Sequence, residues 1–334
     1  MAKSYPSKHN NSGIWNMSDV ATAVSNNDWC SGHRAIFGGG NVDPGAVTNV
    51  IDYVSVVSLG DAADFGNLSV ARKDNTAAGS FTRGCFAGGL TPSGSNVIDY
   101  VTTASTGDAA DFGDLSQTRA YLDTMGNSSV RGIFCGGATP PTYVNTIDYI
   151  TIVTTGDAID YRDLSMTITD HHGVSSPTRG IAAGGYNPSP SDGYVNVMES
   201  VEITSTGNSI DFGDLSSLRF NMSTASSHTR GIFHSGQVPG RTDLIEYVTI
   251  PTKGNTVNFG DATTVRNYGA GTSNGKRAVF GGGGMAAPAA GGDYQNTMDY
   301  IAIAHTGNAA DFGDLSAARH ALESTSNGHG GLGL

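Results

Sequence analysis

Short apolar runs alternate with short polar ones along most of the chain, and the order of the runs repeats. The stretch from Thr82 to Ser129 shows the full cycle: TRGCFAGGLTPSGSNVIDYVTTASTGDAADFGDLSQTRAYLDTMGNSS. Its opening arginine recurs at Arg34, Arg83, Arg131, Arg179, Arg230 and Arg277, at intervals of 49, 48, 48, 51 and 47 residues. Self-similarity at a period of this size marks a repeat architecture. Each cycle has four parts. An apolar run ends in a glycine pair, as in Arg131 to Gly137, and predicts a buried strand entering a tight turn. A second run such as Asn145 to Ile152 (NTIDYITI) is rich in β-branched and aromatic residues, which suit a second strand. The phrase Gly-Asp-Ala-Ala-Asp-Phe-Gly-Asp then predicts a turn and a polar outer strand. An arginine followed by small residues, as in Arg219 to Ser227, suits a crowded innermost strand.

Four strands per unit of about 50 residues is the pattern of a β-propeller blade. Six units predict an all-β, six-bladed β-propeller over 32-334, with repeats near 32-81, 82-129, 130-177, 178-228, 229-274 and 275-327. An open solenoid is the architectural rival. The chain ends discriminate between them. No innermost strand precedes the first unit, and one is left over at Arg319 to Asn327, where it can complete the first blade and close the ring. Residues 1-31 form an N-terminal arm. Ser18 can cap one short helix with Val20, Ala21 and Val24 on its apolar face. Both tryptophans of the protein, Trp15 and Trp29, lie in this arm. They either staple it to the repeats or dock on another subunit, for which Trp15, Val20, Val24 and Trp29 supply the anchors.

Composition narrows the function. The formal net charge is -12, with only 18 Lys and Arg in 334 residues, which disfavours phosphate-rich partners and so nucleic acid. No apolar run approaches the roughly 18 to 20 residues of a membrane span. Three cysteines without ligand spacing predict reduced, buried thiols. Of 13 arginines, six open the strands above, and Arg72, Arg119, Arg219, Arg266 and Arg319 occupy a second repeated position. The third unit breaks this second series with Ile168. An acid recurs in the second strand: Asp52, Asp99, Asp148, Glu199, Glu246 and Asp299. Residues repeated once per blade serve blade geometry. The expectation is that arginines bind these acids or loop carbonyls between strands or blades.

Candidate chemistry is sparse. Asp108, Asp111 and Asp114 lack the alternation of an EF-hand loop, and local turn bonding accounts for them. The glycine runs match no P-loop. Asp170, His171 and His172 have no neighbouring cysteine pair or second histidine cluster, and are taken as loop residues without metal. No nucleophilic triad or cofactor motif emerges, so the expected role is non-catalytic, with no cofactor. What differs between units is the segment after each glycine pair. These segments are predicted to emerge on one face and to expose Tyr143, Tyr186, Tyr194, Arg241 and Tyr294 as a recognition surface, unless they simply drift.

The order of glycine pair, Asp-Tyr strand, outer strand and arginine-led inner strand resembles kelch repeats over about 300 residues. It departs from them where their common tryptophan is replaced by Phe65, Phe112, Tyr161, Phe212, Phe259 and Phe312. The near-identical units, the phrase GDAADFGDLS and the Gly-Ile-Trp arm resemble repetitive virion proteins of tailed bacteriophages, cyanophages among them. That resemblance implies a fibre, knob or capsid-surface protein of the virion. It would be made in the host cytoplasm, contact other virion proteins and further copies of itself, and reach a host glycan or receptor. A cellular kelch-like binding scaffold and a propeller enzyme of the galactose-oxidase type are the alternatives. The second lacks a copper-ligand set here, and fold alone does not confer that activity.

Overall fold

The computed structural model describes residues 34-43, 45-139, 141-188, 193-238, 240-284 and 293-332. The predicted helix and the anchors Trp15, Val20, Val24 and Trp29 lie outside the described residues.

Six four-stranded antiparallel sheets form a β-propeller. The second blade is representative. From the axis outward it comprises Thr76–Gly79, Arg83–Ala87, Ser95–Thr102 and Ala110–Arg119. Each innermost strand comes from the end of the preceding sequence unit, so blades and sequence units are offset by one strand. The first blade therefore takes its innermost strand, Glu323–Ser326, from the far end of the chain. Ala35 pairs with Ser326 and Gly38 with Glu323. A closed ring needs this junction to equal the other five, and the leftover strand supplies it.

The hydrophobic core is six wedges between blades. In one strand, Ile36 packs with Phe65, Leu68 and Phe86 toward the second blade. Its neighbours Ala35 and Phe37 pack with Val279, Met298 and Phe312 toward the sixth. A strand sends successive side chains to opposite faces, and here both faces are covered, which explains the unbroken apolar run. All six sequence positions at the aromatic of the outer strand are buried in these wedges, from Phe65 to Phe312.

A β-bulge precedes every repeated acid, as between Ile51 and Asp52 or Ile98 and Asp99. The bulge re-aims the carboxylate toward the preceding blade. The acidic phrase bonds between blades, where turn chemistry predicts local bonds. Asp108 accepts from the Asn67 backbone N–H at 2.9 Å, and Asp157 from that of Asp114 at 3.0 Å. The turn Gly107 lies so close to Gly66 that a Cβ on Gly66, whose φ is +147°, would collide with the Gly107 carbonyl. At five of the six junctions the outer turn seats on its neighbour's glycine in this way.

Candidate functional site

Two arginine series stitch the blades, with different partners. Arg34, Arg83, Arg131, Arg179, Arg230 and Arg277 each donate from Nη1 to a backbone carbonyl of the next blade: Thr103, Ile152, Ile203, Ile250, Ile303 and Val56, at 2.8–3.1 Å. In five of the six the guanidinium covers a tyrosine of its own blade, such as Tyr53 at 4.5 Å or Tyr100 at 4.6 Å. The fourth blade has Ser200 at that place, and Arg179 instead pairs with Glu202 at 2.9 Å. The second series meets the carboxylates. Arg72 binds Asp99 at 3.0 Å, Arg119 binds Asp148 at 2.6 Å, and Arg319 binds Asp52 at 2.6 Å. Arg219–Glu246 and Arg266–Asp299 repeat the pair. All are buried across blade junctions. Burial lowers the pKa values of Arg72, Arg119, Arg219 and Arg319, against the opposing pull of the paired carboxylate. Where Ile168 replaces arginine, Glu199 is held by the Ser165 and Ser209 hydroxyls.

Two residues beyond each of these positions, the chain turns into the axis. Asp74, Tyr121, Asp170, Asn221, Tyr268 and Ala321 all have φ between 51° and 57°. Each backbone N–H donates to the carbonyl of its counterpart one blade back: Tyr121 to Asp74, Asp170 to Tyr121, Asn221 to Asp170, Tyr268 to Asn221, Ala321 to Tyr268, and Asp74 to Ala321, at 2.8–3.2 Å. The result is a closed annulus of six hydrogen bonds around the axis. Left-handed backbone at a non-glycine residue is costly, and a ring in which each member fixes the next sustains it. The six innermost strands descend from this annulus.

The variable segments share the annulus face. Short hairpins at Ala138–Thr139 with Thr142–Tyr143, at Tyr186–Asn187 with Gly193–Tyr194, and at Gln237–Val238 with Gly240–Arg241 rise around it. Tyr143 is exposed on the first. On the second, the Tyr186 and Tyr194 rings lie 5.5 Å apart, and Tyr194 stacks on Phe220 at 4.1 Å. Arg241 and Tyr294 come together at a cavity of 350 Å3 beside the axis, lined also by Lys73, Asp74, Tyr121, Tyr268 and His320. Arg241 Nε donates to Asn267 Oδ1 at 2.9 Å. Tyr294 lies 4.2 Å from the His320 ring, with its hydroxyl 3.2 Å from the Asn41 amide. Of the five loop residues singled out in the sequence, the structure gathers these two at one mouth and leaves Tyr143, Tyr186 and Tyr194 on the hairpins of the third and fourth blades.

Charge at the axis is poorly compensated. Burial pushes the Asp74 carboxyl up to about 6 against the pull of Lys73, 3.6 Å away. Burial, with Asp74 adding, pushes Asp170 up to about 7. Burial likewise raises Asp123 to about 7 although Thr124 and Gly173 N–H groups donate to it. His171 and His172 are both lowered to about 3, chiefly by burial. The loop assignment of Asp170, His171 and His172 is thereby corrected. Asp170 belongs to the annulus, His171 is buried with Nε2 3.0 Å from the Cys135 sulfur, and His172 opens the innermost strand His172–Ser175. Cys85 and Cys135 are free and buried. At the opposite end, the turn Gly330–Leu332 packs beneath the innermost strands, with His329 Nε2 2.9 Å from the Gly79 carbonyl. A Cβ on Gly331 would collide with the Asn127 carbonyl. Among the described residues this turn closes the lower end of the axis, and the mouth lies at the loop face.

The architecture defines a closed β-propeller scaffold with a polar and aromatic mouth at one end of its axis. Such a scaffold fits a binding or structural role. No family model matches the chain, and no curated protein matches it.

Proposed function

We propose that the protein is a non-catalytic binding propeller of a phage virion, a fibre, knob or capsid-surface component whose loop face takes host-surface carbohydrate. The observation that carries the binding role is the mouth itself. Three tyrosines, a histidine, Arg241 and Asn267 surround a 350 Å3 space on a rigid ring. Aromatic faces cover the apolar faces of sugars, and planar polar side chains satisfy their hydroxyls. Arg241 and Tyr294 reach the mouth from segments that vary between otherwise similar units, the part of a rigid scaffold where recognition is placed. The virion assignment rests on the resemblance of the repeats and arm. It includes docking of Trp15 and Trp29, with Val20 and Val24, on neighbouring virion proteins or further copies. Mass spectrometry of purified virions tests it. The chain is expected as a stoichiometric virion protein, and its restriction to the soluble host fraction would overturn the assignment.

A further inference from the structure

Four residues beyond the second arginine position, the innermost strands begin. In three of them the first residue is a metal-ligand type: Asp123, His172 and Glu323. The other three begin with Thr76, Ser223 and Ala270. Equivalent positions on a ring converge on its axis. One donor atom from each of Asp123, His172 and Glu323 lies within 4.8 Å of the other two. His172 Nδ1 stands 3.4 Å from Asp123 Oδ2. The backbone holds the carboxylates in place, with Gly173 N–H on Asp123 Oδ2 and Ser324 N–H on Glu323 Oε1, both at 2.7 Å. Thr76 Oγ1 donates to Asp123 Oδ1 at 3.1 Å.

We infer that Asp123, His172 and Glu323 form an axial binding site for one divalent transition-metal ion of the zinc class. Two further observations point to a ligand. The blade-junction carboxylates Asp52, Asp99, Asp148, Glu246 and Asp299 each have an arginine, whereas among the described residues no Lys or Arg pairs with Asp123 or Glu323. The Ser324 and Thr325 hydroxyls, on residues 6% and 3% exposed, have no hydrogen-bond partner and line the same 60 Å3 cavity as both carboxylates. A second cavity of 40 Å3 lies on the loop side, bordered by His172 and Glu323. It shares Asp74, Tyr121 and Tyr268 with the mouth, which gives an ion its route. Each cavity has room for water, so a three-ligand ion can complete its shell with solvent. One imidazole and two carboxylates favour zinc, cobalt or manganese over calcium, which takes six to eight oxygens. The ion would pin three of six innermost strands at the axis, independently of what the mouth binds.

The test uses the full chain, stripped with chelator and titrated calorimetrically with ZnCl2 and with CaCl2. One zinc per chain is expected, bound more tightly than calcium. Glu323→Gln and His172→Asn are each expected to weaken zinc by more than about tenfold, with His305→Gln as an exposed control that leaves it unchanged. Far-ultraviolet circular dichroism checks that each variant is folded. The Co2+ form of the unmodified chain adds a readout that needs no variant: d–d absorption of a site with one nitrogen and no sulfur ligand. No stoichiometric zinc in the wild-type chain, unchanged binding in both folded ligand variants, or tighter calcium would overturn the inference.

Discussion

Arg319 near the end of the chain binds Asp52 near its start, Nη2 to Oδ2 at 2.6 Å, with both side chains fully buried. The same arginine donates to the carbonyls of Gly39 and Val50 at 3.1 and 2.8 Å. Its counterpart Arg119 does the same for Gly136, Thr146 and Asp148. The junction that joins the chain's two ends is thus built from the same parts as one made by consecutive blades. Ser316 completes it, donating from Oγ to Asp52 at 2.7 Å.

Arg319→Met leaves Asp52 buried without its cation, which costs about 3–5 kcal/mol. Urea melts of Arg319→Met, Asp52→Leu and the double variant are expected to show each single change strongly destabilising and the double recovering most of the loss. An additive double variant would mean that the pair does not couple the ends.

The junction between the third and fourth blades is built differently. Tyr161 stands where the other units have phenylalanine, Arg162 where they have glycine, and Ile168 where they have arginine. The bond from the turn glycine to the aromatic's carbonyl, seen from Gly107 to Phe65 and from Gly156 to Phe112, is absent at Gly207 among the described residues. The Tyr161 hydroxyl substitutes by donating to the Glu202 carbonyl at 2.7 Å, with the Ser205 carbonyl beside it. Tyr161→Phe is expected to cost on the order of 1 kcal/mol, and to speed amide exchange locally in the turn after Glu202. Hydrogen exchange with mass spectrometry reads both.

Burial holds the Asp74 carboxyl at about 6, above its unfolded value near 4. The native state therefore binds this proton more tightly than the unfolded chain does. Its contribution to stability is fully present below about pH 4 and is lost as pH rises through about 6. Asp74→Asn mimics the protonated form, and asparagine tolerates the φ of 51° at this position. The variant is expected to be more stable than wild type at pH 8, on the order of 1–3 kcal/mol, with the gap closing near pH 4. Thermal melts across that range check the sign.

Blade number, strand content and ring closure were legible because each is written six times or turns on one leftover strand. The arginine partners were legible as a class. Which series takes which partner was not, because a bulge decides where the acid points, and the offset between unit and blade decides whose acid it is. The annulus has no such mark in the sequence. Asp74, Tyr121, Asp170, Asn221, Tyr268 and Ala321 share a backbone conformation and no side-chain chemistry, and no glycine marks the positive φ. Their constant offset of two from the second arginine position was the available signal. Asp123, His172 and Glu323 are equally unmarked, since one repeat separates the first two and three repeats the last. Only the ring brings them within 4.8 Å. Arg241 and Tyr294 were picked out by residue type on variable segments, and that criterion could not separate them from Tyr143, which the fold leaves away from the mouth.

The affinity of the loop-face mouth for host-surface polysaccharide tests the proposed binding role most directly. Wild type, the double variant Tyr294→Ala with Arg241→Ala, and an outer-edge control, Ile159→Ser, are compared by biolayer interferometry on immobilised host polysaccharide. Ile159 is 57% exposed at the rim, far from the axis in its blade. Saturable binding is expected of wild type and of the rim variant, with a loss of at least about tenfold in the mouth variant, as when polar and aromatic contacts are removed together. Equal binding by all three folded proteins, or none by wild type, would contradict that role.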